Sequence, residues 1–359
     1  MMELMIYIAG TLIFLLGLIF IVIWATTYHP DKVQDEPVVC SEDAPLIRPG
    51  QKLKVLNWNV QYMAGKNYIF WYDLPKGSGP DTRPTPEDIA VTLKRVANVI
   101  IDEDPDIVLL QEIDDGAKRT DHEDQLEKLL ALLPETYCCY TSTFYWKAAF
   151  VPHPKIMGSV GLKLSTISKY RVSKARRHQL PFLPNNPITR QFYLKRAILE
   201  ARFPQTDGNQ LVILNTHFES FGQGTNTMQR QVHQTVSLLT KLSTKGFSWM
   251  IGGDFNLLPS ESAYNRLMES EKKSYLSKTE ITAMYERYRG VPSIEDVDSS
   301  EYKRWFTHFS NEDSIKAPDR TIDYIFISND IQLGAHYVRQ EDTINISDHL
   351  PVVVEAEIP

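Results

Sequence analysis

Six short runs of β-branched and aromatic residues constrain the fold more than any other feature: LKVLNWNV (53–60), DIVLLQE (106–112), QLVILNTHF (210–218), SWMIGGDF (248–255), DYIFIS (323–328) and PVVVEAEI (351–358). Each has the length of a strand and is too short for a buried helix. Helical periodicity falls between them. From Pro86 to Asp102, residues Ile89, Leu93, Val96 and Ile100 recur on one face, with Thr85 a candidate N-cap, Asp88 three residues on and Pro86 at the first helical position. A second amphipathic stretch runs from Thr227 to Leu242, carrying Met228, Val232, Val236 and Leu239. Strands interleaved with helices predict an α/β protein.

The strand-like runs end in chemistry. Asn59 follows KVLNW, Glu112 follows DIVLLQ, His217 follows LVILNT, Asp254 and Asn256 lie in GGDFN, Asp323 precedes YIFIS, and Asp348 and His349 precede LPVVV. One such end is a solvated terminus or a turn former. Six of them point to a shared cleft, because ligands collect at strand ends in α/β sheets. Asn59, Glu112 and Asp348 offer hard oxygens suited to Mg²⁺ or Mn²⁺, whereas no Cys or His grouping has the spacing of a zinc site. His349 with Asp323 makes an imidazole–carboxylate pair. Asp254 is suited to orient or deprotonate water, and Asn256 and His217 to donate to phosphate oxygens that gain charge.

Ahead of this region, Met5 to Ala25 is an unbroken uncharged apolar run, long enough at about 1.5 Å per residue to cross roughly 30 Å of hydrocarbon. It lacks the basic flank and small-residue cleavage point of a signal peptide, so residues 1–25 are expected to be a single-pass anchor. Lys32, the nearest cation, leans the rest of the chain towards the cytoplasm. Residues 26–51, with Pro30, Pro37, Pro45 and Pro49, are expected to form a tether, and 52–359 one catalytic domain. Cys40, Cys138 and Cys139 fit no disulfide framework, so free thiols are expected.

With 38 Lys and Arg against 45 Asp and Glu, the net charge of −7 excludes a generic polyanion binder. Any anion site must be local. Between 144 and 178 the cations Lys147, Lys155, Lys163, Lys169, Arg171, Lys174, Arg176 and Arg177 occur without an acid. Such a strip is either a set of solvent-facing positions or a basic wall for a phosphate-bearing substrate. Lys163 within it and Arg196 beyond it are candidate substrate-binding cations. FYWKAAFVP (144–152) adds aromatics that can face the core, lipid or a stacked base. An insertion from Gln61 to Thr85, crowded with Tyr68, Phe70, Trp71 and Tyr72, either overhangs the cleft or plugs the side of the domain.

Taken in order, NWNV (57–60), LLQE (109–112), NTHF (215–218), GGDFN (252–256), TIDYIF (321–326) and SDHLPV (347–352) resemble the endonuclease/exonuclease/phosphatase superfamily, which includes the DNase I-like and neutral-sphingomyelinase-like hydrolases. The resemblance covers 53–358 and is nearest to bacterial, membrane-anchored members. It implies a four-layer α/β/β/α sandwich of two mixed β-sheets behind one transmembrane helix, in a bacterial inner membrane. It also implies a Mg²⁺ (or Mn²⁺) ion held with Asn59, Glu112 and Asp348, water activated by Asp254, phosphate contacts from Asn256 and His217, and an Asp323–His349 pair. The function expected from it is a membrane-tethered phosphoester hydrolase acting on a lipid headgroup or a phosphorylated small molecule by in-line attack of water. A DNA or RNA nuclease using the 144–178 strip is the alternative. A catalytically silent binding protein is a third reading, disfavoured by the intact set of polar strand ends.

Overall fold

Alternation along the strands gives each of them two faces, and the computed structural model, which describes residues 2–359, buries both in the central strands. One mixed sheet runs β13 (Gln332–Val338), β14 (Val352–Glu357), β3 (Lys52–Asn59), β4 (Ile107–Asp114), β6 (Gly158–Ser168), β5 (Cys139–Val151), β2 (Val38–Cys40). The other runs β1 (Val33–Glu36), β7 (Lys174–Gln179), β8 (Ala197–Pro204), β9 (Gln210–His217), β10 (Ser248–Asp254), β12 (Asp323–Ile327), β11 (Arg289–Val291). The central pairs β3–β4 and β9–β10 are parallel, and the remaining neighbours are antiparallel.

Val55, Leu109, Ile213, Met250 and Ile325 point inward and form the core between the sheets. Their sequence neighbours point outward. Leu56, Trp58, Val108 and Leu110 meet the apolar face of α2 (Pro86–Glu103) and of α3 (Gln125–Leu130). On the opposite side Val212, Leu214, Trp249 and Ile251 meet Met228, Val232 and Leu239 of α5 (Thr227–Thr244). Each fully buried aliphatic side chain contributes about 1.5–3 kcal/mol, so these three apolar layers hold the four-layer sandwich together. Helix α2 starts as its sequence predicts: Thr85 Oγ1 accepts the amide of Asp88 at 3.2 Å.

Helix α1 (Met2–Thr26) is long and apolar enough to cross a membrane, and none of it is buried. The stretch after it corrects the tether expectation. Residues 33–36 pair antiparallel with β7 and residues 38–40 with β5, so the segment closes one edge of each sheet. Pro37 separates the two strands at a sheet margin, where a missing N–H is tolerated. The thiol expectation is corrected as well: Cys40 lies directly opposite Cys139 in the β2–β5 register and the two form a disulfide, leaving Cys138 as the free cysteine.

Candidate active site

The period of two that buries the inner faces also grades them. Along β3 the inward residues read Leu53, Val55, Asn57, Asn59. Along β9 they read Leu211, Ile213, Asn215, His217, and along β10 Met250, Gly252, Asp254. The sandwich is therefore apolar at one end, carboxamide-lined next, and charged at the rim. In the middle layer Gln111 donates to Asn57 Oδ1 at 2.9 Å and Asn215 Oδ1 at 2.7 Å, tying the sheets together, while Asn215 donates to the Leu110 and Ser165 carbonyls. A Cβ on Gly252 would lie 2.7 Å from Leu109 Cδ1 and 3.0 Å from Asn57 Oδ1, so a side chain there would have to displace both from this layer. These carboxamides stand beside the expected site residues and were not singled out from the sequence, although their spacing of two from Asn59 and His217 carries the signal.

The outer layer brings the predicted residues together. Glu112 sits at a break in the β4–β6 register with φ of +59°, which turns its side chain from the strand's alternation into the cleft. Its Oε1 accepts from Asn59 at 3.2 Å and lies 3.0 Å from His217 Nε2. Asp254 Oδ2 accepts from Asn59 at 3.1 Å and lies 3.6 Å from both His217 Nδ1 and His349 Nε2. Asn256, also at positive φ, approaches His217 Nδ1 at 3.4 Å, and its amide N–H donates to Asp254 Oδ1 at 2.9 Å. Asp323 Oδ2 lies 2.8 Å from His349 Nδ1, and Trp58 holds the His349 backbone carbonyl at 2.9 Å. Asp348 stands 4.0 Å from His349 Nε2.

The electrostatics follow from that packing. Burial pushes Asp254 up to about 7, with the charges of Asp323 and Glu112 adding to it against the pull of His349. Burial alone would raise Glu112, but the bond and charge of His217 bring it down to about 2. His217 itself is lowered to about 4 by burial and by Arg196, so the pair rests as carboxylate and neutral imidazole. His349 goes the other way: against burial, Asp323 and Asp254 raise it to about 10.

Four carboxylates, the buried Asp254 and Asp323 and the half-buried Glu112 and Asp348, thus gather at the cleft. Among the described residues none of them is ion-paired to Lys or Arg. Asp323 Oδ1 is buried without a partner. A divalent cation suits the chemistry of this donor set. Asp254, Asp323 and His349 form a group able to hold a metal ion, while of the expected ligands Asn59 turns its Nδ2 to Glu112 at 3.2 Å and its Oδ1 to the Gln61 amide. The structure adds His308, whose ring meets that of His349 at 4.5 Å and which lies with Asp348 and His349 in a group able to hold a metal ion. No strand pattern marks His308; it comes from a loop that bridges to His349.

The 61–85 insertion does overhang the cleft. Lys66 Nζ donates to the Phe309 carbonyl at 3.0 Å, and burial lowers it to about 8 against the pull of Asp348. Tyr62 is buried beneath Arg119, whose guanidinium lies 3.4 Å from the ring centroid while holding Asp114 in a bidentate pair. Neither Tyr62 nor Arg119 was expected at the site.

The basic strip is a correction. Lys163 is buried and bound to Asp115 at 2.9 Å and Asp124 at 3.2 Å, Lys169 binds Asp104, Lys174 and Arg176 both bind Asp35, and Arg177 donates to the Phe144 and Lys195 carbonyls. Acids distant in sequence pair with Lys163, Lys169, Lys174 and Arg176, so the run forms no continuous wall. Arg196 differs. It is 5% exposed, packs on Tyr145 and donates to Ser220 Oγ, while its Nε and Nη1 are buried without partners. Arg196→Ala is expected to lower kcat/KM about 10- to 100-fold, the worth of a charge-assisted contact to phosphate. Lys163→Met should stay within about twofold of wild type and lower Tm instead. Steady-state kinetics of the two variants check this, and the reverse ranking would remove Arg196 from the phosphate site.

The sequence matches the family model described as Endonuclease/Exonuclease/phosphatase family over residues 56–349. No curated protein matches it. Similar solved structures include an endonuclease/exonuclease/phosphatase from Beutenbergia cavernae, 19% identical over 86% of this chain and 72% of that one, with a TM-score of 0.57. A family protein from Leptotrichia buccalis is 15% identical over 85% and 100%, TM-score 0.55. The human Nocturnin catalytic domain with bound sulfate anion is 17% identical over 90% and 98%, TM-score 0.51. These likenesses establish the fold.

Proposed function

The chain belongs to the endonuclease/exonuclease/phosphatase family, whose enzymes are typically metal-dependent phosphoester hydrolases, and from its own site we propose a membrane-tethered Mg²⁺- or Mn²⁺-dependent phosphodiesterase or phosphatase acting on a lipid headgroup phosphate. The observation that carries this reading is the carboxylate set around His217 and His349, standing at one end of a sandwich whose first helix is long and apolar enough to cross a membrane.

Glu112, Asn59 and Asp348 would hold the cation, which when bound supplies charge neutralisation at the phosphate oxygens. Asp254 takes the proton of the attacking water, held in place by the amides of Asn59 and Asn256. His349, kept as imidazolium by Asp323, donates to the oxygen that gains charge, and Arg196 and His217 bind the remaining phosphate oxygens. A nuclease would need a cationic track for the nucleic acid backbone, and ion pairs already occupy Lys163, Lys169, Lys174 and Arg176 of the 144–178 strip.

The Cys40–Cys139 disulfide supports a catalytic domain on the oxidising face of the membrane, since such bonds persist in oxidising compartments. A single lysine is a weak topogenic signal, so this outweighs the inward lean of Lys32.

The full chain in nanodiscs, supplied with Mn²⁺ or Mg²⁺, is expected to hydrolyse phospholipid and bis(p-nitrophenyl) phosphate in preference to plasmid DNA. Chelation or His349→Ala should abolish activity, and Cys40 and Cys139 in intact cells should react with maleimide only after reduction. Hydrolysis that survives chelation overturns the mechanism, selective cleavage of plasmid overturns the lipid preference, and labelling of Cys40 or Cys139 without reductant, read in a Cys138→Ser background because Cys138 is free, overturns the topology.

A further inference from the structure

The Glu112 side of the site opens into a cavity of about 910 Å³ whose walls the phosphoester chemistry does not explain. Its floor is polar, formed by the buried Tyr62 and Arg196 and the half-buried Glu112. The walls are mixed, with Arg83, Lys118 and Lys155 set beside a larger apolar surface. On one of them Trp71, from the 61–85 insertion, stacks on His153 with ring centroids 4.7 Å apart. On another Trp146 of β5 donates its indole N–H at 2.7 Å to the carbonyl of Phe192, at the end of α4 (Pro187–Phe192). Met157, Ile188 and Phe221 line the same cavity yet are 50%, 66% and 49% exposed, so they form its rim. A phosphate and a small polar headgroup would use the polar part of this lining and leave its apolar part unexplained.

The position of the anchor identifies what else enters. The residue after α1, Thr27, bridges to Ala148 of β5, and Tyr28 meets Phe144 of the same strand edge-on. Trp146 and Val151, two and three residues from Ala148, line the cavity. At about 3.3 Å per strand residue the anchor therefore joins the domain within about 10 Å of the cavity wall, with no free tether between them. A cavity with an apolar rim, fixed at that distance from a membrane-crossing helix, faces the bilayer boundary.

We propose that this cavity is a hydrocarbon subsite, which holds the apolar chain of a membrane amphiphile whose phosphate lies at Glu112, Arg196 and His217. The proposal rests on the lipid reading above and narrows it to substrates with a chain of several methylenes. Met157, Ile188 and Phe221 sit at the headgroup level and admit the chain. Trp71 and Trp146 enclose it.

A homologous series of n-alkyl phosphates (ethyl, hexyl and dodecyl) tests this by calorimetric titration of the full chain in amphipol with Mn²⁺. Affinity is expected to rise at least about tenfold from ethyl to dodecyl, since buried methylenes each add to binding. The exposed-rim variants Ile188→Asp and Phe221→Asp, measured in the same amphipol, should flatten that rise. Equal affinities along the series in wild type, an unchanged rise in both variants, or tighter binding of adenosine monophosphate than of dodecyl phosphate would each overturn the subsite. A chain-length rise that the rim variants flatten, in a protein that hydrolyses no phosphoester, supports the subsite while removing the hydrolase reading. Hydrolysis without any chain-length rise does the opposite.

Discussion

Asp254→Asn is expected to lower kcat/KM by about 10³-fold or more while leaving the cation-free protein at least as stable above pH 7. The kinetic half follows from position. Asp254 is the carboxylate lying between the two histidines and fixed by Asn59 and Asn256, and a carboxamide of the same shape keeps the packing but cannot accept a proton. The stability half follows from burial. Burial, with Asp323 and Glu112, raises Asp254 from its ordinary 3.8 to about 7. A group raised on folding contributes stability that is full below about 3.8 and is lost as pH rises through about 7, because the folded state must then carry another buried negative charge. Asparagine has no such dependence. In EDTA the variant should therefore melt about 2–4 °C above wild type at pH 8 and lose that advantage at pH 5. Calorimetry at the two pH values, beside steady-state kinetics in saturating Mn²⁺, reads both halves. Activity within tenfold of wild type, or the same Tm difference at both pH values, would count against Asp254 as the base.

Much of this arrangement was legible in the sequence, for a physical reason. In a two-sheet sandwich the inner face repeats every second residue, so a run such as Leu53, Val55, Asn57, Asn59 shows where the apolar layer stops and the cleft begins. Asn59, His217, Asp254 and Asp323 are found in that way, and the family resemblance supplied their order. Glu112 required more, because its strand breaks alternation at that residue. What the sequence hid was pairing at a distance. Lys163 looks free until folding brings Asp115 and Asp124 against it, and Cys40 looks alone until β2 is placed in register with β5. Strands β1 and β2 are three or four residues long and flank a proline, so their pairing partners define them rather than their composition. His308 lies on a loop and Arg119 in the single 3-10 turn Lys118–Thr120, where no periodicity exists to mark them.

The Asp323–His349 pair yields the second large effect. Asp323 is buried, and its Oδ2 lies 2.8 Å from His349 Nδ1 while Oδ1 has no partner, so its charge is committed to the imidazole. That charge, with Asp254, holds His349 at about 10 despite burial, which keeps Nε2 protonated and aimed at the cleft. Asp323→Asn should lower kcat about 10²- to 10⁴-fold, the range over which a misplaced tautomer acts in carboxylate–imidazole pairs. His349→Ala should cost as much or more. The two losses should not add: with His349 gone, Asp323 has nothing left to orient, so the double variant should match His349→Ala within about threefold. A purely structural role for Asp323 would also reduce activity, but it would not move the imidazole titration. NMR of the His349 ring in Asp323→Asn should show its pKa falling from about 10 towards the ordinary imidazole range. Additive losses, or an unmoved His349 titration, would mean that Asp323 acts on the fold and that the proton donor lies elsewhere in the cleft.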